Sequence, residues 1–356
     1  MRKAVIIVGE QLNKPHNQSH SSEHPRQDYE EIAQQLGAEL CCNGDKQQPW
    51  HTLVQKLDKR IKLDMLAALK VMRRSQHYNC ILSTSEKSGI PIATLMSLKR
   101  IDLPHVVIAH KLSSGNKTGL FKVWSLQKQF HQVITVCQAQ ADYAVHQLGL
   151  APEKVHFIHD KVDHHFFQPQ KLTTGNFVLA VGMEQRDYGA LINALAETDI
   201  RVIILANSLW STFYQQIYRA KNVIFLSHHI SYEMLRELYA KARLVVVPLR
   251  NVDYAAGVNA VLEAMAMAKP VIVSRTRGIE DYIVDNENGR FTPPGDIAQL
   301  REQILTLWEQ PGEQVRLGEN ARQAVEETMN LDIYVRKVVQ IIESAASTPS
   351  PTLIRV

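Results

Sequence analysis

Gly257 and Glu263 lie six residues apart in A-A-G-V-N-A-V-L-E-A-M-A, whose apolar spacing predicts a helix beginning at Gly257. The first turn of such a helix offers unpaired N–H groups and the positive end of the dipole to an anion. Ala256, Gly257, Val258 and Asn259 are therefore candidate anion-binding positions. Glu263 falls among Val261, Leu262, Met265 and Ala266 on the apolar face, where a carboxylate needs a hydrogen-bond partner. That partner is a ligand hydroxyl, or else a capping or ion-paired group of the protein itself. Arg186 precedes Asp187 and Tyr188; its guanidinium suits phosphate oxygens or a surface ion pair with Asp187 or Glu184. His110 ends the apolar run His105–Ala109, and Glu86 with Ser88-Gly89 follows the run Asn79–Ser83. Each stands where a strand gives way to a loop, and each has a structural alternative: a core histidine, or the turn that starts the next helix. His228-His229 follow Asn222–Phe225; adjacent histidines in extended chain point opposite ways, so at most one, taken as His229, faces a ligand. A plain polar turn is the favoured reading there.

The elements that must carry these residues are short apolar runs alternating with amphipathic stretches, the pattern of a parallel sheet with crossover helices. In the first half, strands are predicted at Lys3–Val8, Asn79–Ser83, His105–Ala109, Gln132–Val136 and Lys154–Ile158. Helical segments separate them at Arg26–Leu36, Leu53–Arg74, Pro91–Arg100, Gly119–Gln129 and Gln138–Leu148, and Asn13–Pro25 reads as a loop. In the second half, strands fall at Phe177–Val181, Val202–Leu205, Asn222–Phe225, Leu244–Val247 and Pro270–Val273, with helices starting near Asp187, Ser208, Ser231 and Gly257. The predicted fold is α/β: two Rossmann-like α/β/α domains facing each other across a cleft. Their boundaries are 1–168 and 177–330, with a linker over 169–176, a helix over 331–346 returning to the first domain, and a frayed tail over 347–356. Ligands of open α/β sheets bind beyond the carboxyl ends of the strands, which is where the residues above fall.

Composition narrows the classes. A chain of 356 residues is large enough for two cores. Hydrophobic residues make up 45% and charged residues 21%, values of a soluble globular protein. No apolar run approaches the roughly 20 residues of a membrane span, and the apolar run at the amino terminus reads as a strand rather than a signal peptide. The net charge of +4, without aromatic–basic interleaving, gives no nucleic-acid signature. Cys41, Cys42, Cys80 and Cys137 form no C-x-x-C pair and read as free thiols in a reducing compartment. Neither an Asp-x-Asp motif nor metal-ligand spacing occurs, so no metal is expected. The stretch Leu53–Arg74 carries Lys56, Lys59, Arg60, Lys62, Lys70, Arg73 and Arg74 against Asp58 and Asp64. Its basic side is a solvated face or a peripheral contact with anionic lipid.

The stretch L-V-V-V-P-L-R-N-V-D-Y-A-A-G-V-N-A-V-L-E-A-M-A-M-A-K-P-V-I-V-S from Leu244, with the later N-G-R-F-T-P-P-G-D, closely resembles the retaining glycosyltransferases of family 4. The run from Asp163 to Pro169 resembles their crossing between domains, and Gly182 to Leu191 their first donor-domain turn. The resemblance is strong over Phe177–Asn330, moderate over Asn79–Pro169 and loose before Asn79. It implies a GT-B fold and a nucleotide-sugar co-substrate, UDP- or GDP-linked, without a further cofactor. It also implies Glu263 on the ribose, the Gly257 helix end and Gly182 turn on the diphosphate, and His110 on the sugar or diphosphate. Lys161 in the interdomain loop is a candidate for offsetting charge, His229 for the base pocket, and Glu86 for contacting the acceptor. Three places depart from the family: Ala255 replaces a Glu contacting the transferred sugar, while Met183 and Tyr188 replace an Arg and a Lys on the diphosphate. Arg186 is the candidate replacement cation.

The function implied is sugar transfer, with retention, to a glycan, lipid-linked or small-molecule acceptor, in the cytoplasm or peripherally on the inner face of the membrane. The alternatives are a non-catalytic nucleotide-sugar-binding protein, and a nucleotide-sugar epimerase or sugar phosphorylase on the same scaffold.

Overall fold

The computed structural model describes residues 3–9, 23–42, 58, 63–113, 126–206, 220–227 and 230–347. The chain divides into two compact units, one of Met1–Ser19, Gln27–Ile158 and Tyr334–Val356, the other of His20–Arg26 and His159–Ile333.

The first unit holds six parallel strands: β1 (Lys3–Val8), β2 (Glu39–Cys42), β3 (Tyr78–Ser83), β4 (His105–Ala109), β5 (Gln132–Thr135) and β6 (Val155–Phe157), in the order β2-β1-β3-β4-β5-β6. Its helices are α1 (Asp28–Leu36), α2 (Met65–Arg73), α3 (Glu86–Lys99) and α4 (Gln138–His146). The apolar runs are continuous because both sheet faces are covered: Ile6, Leu82 and Val106, in register on one face, are as fully buried as Val5, Ile81 and Val107 on the other.

Three expectations are corrected here. The edge strand β2 is absent from the predicted strands, since Glu39–Cys42 is only four residues long and only Cys42 in it is buried. Helix α3 starts at Glu86 rather than Pro91. Pro91 has no N–H for the carbonyl four residues back, and that carbonyl, of Lys87, instead accepts the Asp64 amide at 3.0 Å. The basic stretch 53–74 is not one helix. The Asp58 carboxylate accepts the Met65 and Leu66 amides at 3.0 and 3.2 Å, capping a helix that begins at Met65. Residues 53–57 and 59–62 lie outside the described residues, as do 13–22 of the expected loop Asn13–Pro25, 119–125 of the expected helix Gly119–Gln129, the helix expected near Ser208, and 348–356 of the expected tail.

The second unit holds β7 (Phe177–Val181), β8 (Arg201–Leu205), β9 (Val223–Leu226), β10 (Leu244–Val247), β11 (Val271–Ser274) and β12 (Arg290–Thr292), all parallel, in the order β12-β11-β10-β7-β8-β9. Its helices are α5 (Tyr188–Leu195), α6 (Tyr232–Lys241), α7 (Val258–Ala266), α8 (Ile297–Trp308) and α9 (Pro311–Thr328); α10 (Leu331–Ser347) follows. Successive residues feed opposite faces: Leu179, Val245, Val247 and Val273 enter one core, Val178, Ala180, Val246 and Ile272 the other. The order of this sheet reverses between β7 and β10, the switch point at which open α/β sheets leave a crevice for a ligand. Among the described residues no helix is long and apolar enough to cross a membrane.

Candidate functional site

The loops leaving β7 and β10 are tied together at that switch point. The Asp187 amide donates to Pro248 O at 2.9 Å, the Arg250 amide to Gln185 O at 2.9 Å, and Arg186 forms a β-bridge with Leu249. The Leu249 amide donates to Ser274 Oγ at 2.9 Å, which joins the end of β11 to the same loop. Asp187 accepts the Ala190 amide at 3.1 Å and so caps α5.

Arg186 is only 8% exposed. Its Nε donates to Val181 O at 3.0 Å and its Nη1 to Glu184 O at 2.8 Å. These donors go to backbone carbonyls and not to the carboxylates of Asp187 or Glu184. The guanidinium fits because two glycines leave it room. A Cβ on Gly257 would stand 3.0 Å from Nη1, and one on Gly182 would overlap Nη2. Both glycines have positive φ, 106° at Gly182 and 88° at Gly257, where L side chains are strained. Burial lowers the Arg186 pKa, while Tyr188, Tyr239, Glu184 and Glu263 work to raise it; a guanidinium retains its charge in such a setting. Tyr188 is buried, and its hydroxyl donates to Gly182 O, bracing the turn. Met183 is 56% exposed.

Gly257 is the N-cap of α7, in the left-handed region. The Ala256 amide is spent on Tyr254 O and that of Val258 on Ala255 O, whereas the amides of Asn259 and Ala260 have no partner among the described residues. Two unpaired N–H groups at a helix start, beside a buried guanidinium, are groups that an anion can accept from. Glu263 stands on the same helix, partly accessible. Its Oε2 accepts the phenol of Tyr239 at 2.8 Å. Burial pushes its carboxyl up to about 7, against Tyr239 and Arg186, which pull it down. A carboxylate with one oxygen engaged retains acceptor capacity for hydroxyl donors.

In the first unit the structure connects two of the predicted residues. Glu86, buried at the start of α3, accepts the His110 amide at 3.1 Å. Gln140 of α4, also buried, accepts the Leu112 amide at 2.6 Å and the Ser113 amide at 3.3 Å, and donates to Ser113 Oγ at 2.9 Å. The loop after β4 is therefore held from two helices. Lys161, in the second unit, is ion-paired with Asp160 at 3.1 Å. His229 lies outside the described residues. The ligand atoms of His164, His165 and Asp332 lie within 4.8 Å of one another. Arg26 already salt-bridges Asp332 at 2.9 Å and Asp163 at 3.2 Å, so a cation there would compete with a guanidinium.

Tyr239, Gln140 and the pairing of Tyr254 with Glu184 were not singled out from the sequence. The one signal for Tyr239 was the demand of an apolar-face carboxylate for a donor, and periodicity does not say which residue answers it.

Two parallel six-stranded sheets of the GT-B kind, with open helix-start amides and a buried arginine at the switch point of the second, are the class this fold and site define. Residues 164–324, which lie within the second unit, match the family model of the glycosyl transferases group 1. The chain is 24% identical over 230 residues to the MMP alpha-(1->4)-mannosyltransferase of Mycolicibacterium hassiacum, covering 61% of this chain and 55% of that protein. It is also 24% identical over 200 residues to the capsular polysaccharide biosynthesis glycosyltransferase CapM of Staphylococcus aureus, covering 52% and 50%. The matched segment thus spans about half the length of these relatives. Among solved structures, the sucrose-phosphate synthase of Thermosynechococcus elongatus superposes with a TM-score of 0.74 at 17% identity, over 97% of this chain and 99% of the other. Anabaena HepE, crystallised with UDP and glucose, superposes with 0.72 at 19% identity, over 98% and 100%. These superpositions establish the fold.

Proposed function

We propose that this chain is a retaining, family 4 glycosyltransferase that moves a sugar from a UDP- or GDP-linked donor to a saccharide, lipid-linked or small-molecule acceptor. One observation carries the reading: the open amides of Asn259 and Ala260, the buried Arg186 and the poised Glu263 meet at the switch point of the second sheet. The diphosphate docks on those amides with Arg186 behind it, in the turn shaped by Gly182, Ala256, Gly257, Val258 and Asn259. Glu263 accepts from the ribose hydroxyls. As the diphosphate leaves, the helix end and Arg186 stabilise its growing charge, with Lys161 as a further cation. His110 is assigned to the sugar or diphosphate and Glu86 to the acceptor, both from residues 1–168, while 177–330 form the donor domain. His229 belongs to the base pocket. No metal takes part, and the basic surface near residues 53–74 offers a peripheral lipid contact from the cytoplasm.

The names of the relatives support this reading: a mannosyltransferase, a capsular polysaccharide glycosyltransferase, and a solved structure holding UDP and glucose. The test is thermal unfolding with UDP, GDP, ADP and their sugar conjugates, for wild type and Glu263→Ala. A ligand of the native state raises the midpoint by mass action. A rise with one nucleotide, lost in Glu263→Ala, identifies the donor, and product NMR against candidate acceptors then reads the anomeric configuration. No rise at millimolar nucleotide defeats the proposal.

A further inference from the structure

We infer that Glu184 is the residue that recognises hydroxyls of the transferred sugar, a role resting on the donor-site reading above. Glu184 sits on the loop after β7, exposed, and its backbone carbonyl accepts Arg186 Nη1 at 2.8 Å. Arg186 in turn lies against Gly257, at the helix end where the diphosphate docks. The backbone of Glu184 is thus anchored one residue contact from that helix end, and its carboxylate is placed by Tyr254 of the loop that leads into the same helix. An acceptor-only group in that place repels a phosphate and suits a neighbour rich in O–H donors. The sugar that follows the diphosphate is such a neighbour.

The side chain is also held in one direction. The phenol of Tyr254, itself 6% exposed, donates to Glu184 Oε1 at 2.8 Å. Tyr254 is fixed from behind, because Gly278 packs so closely that an added Cβ would overlap the Tyr254 carbonyl and stand 2.6 Å from the Ala255 amide. The two loops are further tied by the Arg250–Gln185 and Asp187–Pro248 backbone bonds. The phenol takes up one of the roughly four lone-pair sites that a carboxylate offers. Ala255, the residue beside Tyr254, has no side-chain acceptor of its own. The loop that carries it therefore positions, through Tyr254, a carboxylate supplied by the other loop.

The experiment compares each nucleotide with its own sugar conjugate. Affinities for UDP, UDP-glucose, GDP and GDP-mannose are measured by calorimetry on wild type, Glu184→Gln and Tyr254→Phe. Glu184→Gln keeps an acceptor oxygen for Tyr254 and removes only the charge. The expected result is unchanged or tighter binding of the free nucleotide, with sugar-conjugate affinity reduced roughly tenfold, as for loss of charged hydrogen bonds. Tyr254→Phe should weaken the conjugate by a smaller factor in the same sense. If Glu184→Gln changes nucleotide and conjugate by the same factor, or changes neither, Glu184 only braces the loop and the inference falls. If wild type binds none of the four, the donor-site reading itself has failed, a result distinct from either of these.

Discussion

The phenol of Tyr239, on α6, donates to Glu263 Oε2, on α7, across 2.8 Å in a site where the phenol is wholly buried. Among the described residues the hydroxyl is the only donor to that carboxylate, so it both solvates the charge and fixes which oxygen faces outward. Tyr239→Phe removes the donor without opening a cavity. Loss of a hydrogen bond to a buried charged group costs about 1.5–3 kcal/mol. Urea unfolding at pH 8, where Glu263 is ionised, should show a loss of that size, and one below about 0.5 kcal/mol would mean that water solvates the carboxylate equally well.

The same carboxyl gives stability a pH dependence. Burial raises it from 4.5 to about 7 in the folded state. Between those values the unfolded chain gives up the proton and the native protein keeps it, so the native state binds more protons and its stability falls as pH rises. The contribution is fully present below about 4.5 and lost through 7. Glu263→Gln has no proton to lose. Relative to wild type, it should gain roughly 2–3 kcal/mol as pH goes from 4.5 to 8. Parallel stability curves for the two proteins over that range would refute the shifted carboxyl.

Two glycines with left-handed backbones separate conformational strain from packing. Gly295 has φ 77° and no heavy atom near an added Cβ, whereas at Gly257, φ 88°, that Cβ meets Arg186 Nη1 at 3.0 Å and Leu249 and Val247 methyls at 3.1 Å. Gly295→Ala should cost about 1 kcal/mol from backbone strain alone. Gly257→Ala should cost 1–3 kcal/mol more, by overpacking, and should also weaken nucleotide binding as Arg186 is pushed aside. Equal losses in chemical denaturation would show that the space around Gly257 relaxes freely.

The strands and the second-unit helix starts were legible because each is encoded locally. Apolar runs such as Leu244–Val247 and Val271–Ser274 are buried on both faces, and Asp187 and Ser231 each accept an amide as caps. The short edge strands Glu39–Cys42 and Arg290–Thr292 carry too little pattern to declare themselves. The start of α3 was misplaced because the remedy for Pro91 is an amide from Asp64, distant along the chain. Within the site, Gly257 and Glu263 could be read from one helix, since their spacing is a property of that helix. Tyr239, Tyr254 and Gln140 act on partners 24, 70 and 28 residues away, and nothing in a local period specifies such pairings.

In the first unit, Gln140 is the hinge pin of the loop that carries His110. Its amide oxygen serves Leu112 and Ser113 and its nitrogen serves Ser113 Oγ. Gln140→Ala strands these groups in a buried position, at a cost of about 1–3 kcal/mol. Because His110 remains held through its own amide by Glu86, nucleotide binding should be unchanged while turnover with acceptor falls. Unaltered turnover in a correctly folded variant would remove His110 and its loop from the reaction.

Arg186 provides the sharpest separation of charge from shape. Its guanidinium spans Val181 O and Glu184 O with two different nitrogens while lying against both Gly182 and Gly257. A lysine ammonium carries the same charge but concentrates it at one point on a flexible stem. Arg186→Lys therefore satisfies at most one of the two carbonyls well and leaves the planar slot between the glycines underfilled. If the guanidinium contributes only positive charge, UDP or GDP affinity in Arg186→Lys should stay within about twofold of wild type. If its fork orients the anion site, as the fit between the two glycines indicates, affinity should fall at least tenfold, with Arg186→Met only modestly worse. Calorimetric titration of the three proteins distinguishes these outcomes, and salt provides the control. A point-charge contribution at a partly open site weakens as ionic strength rises, whereas the part lost by misorientation persists at high salt.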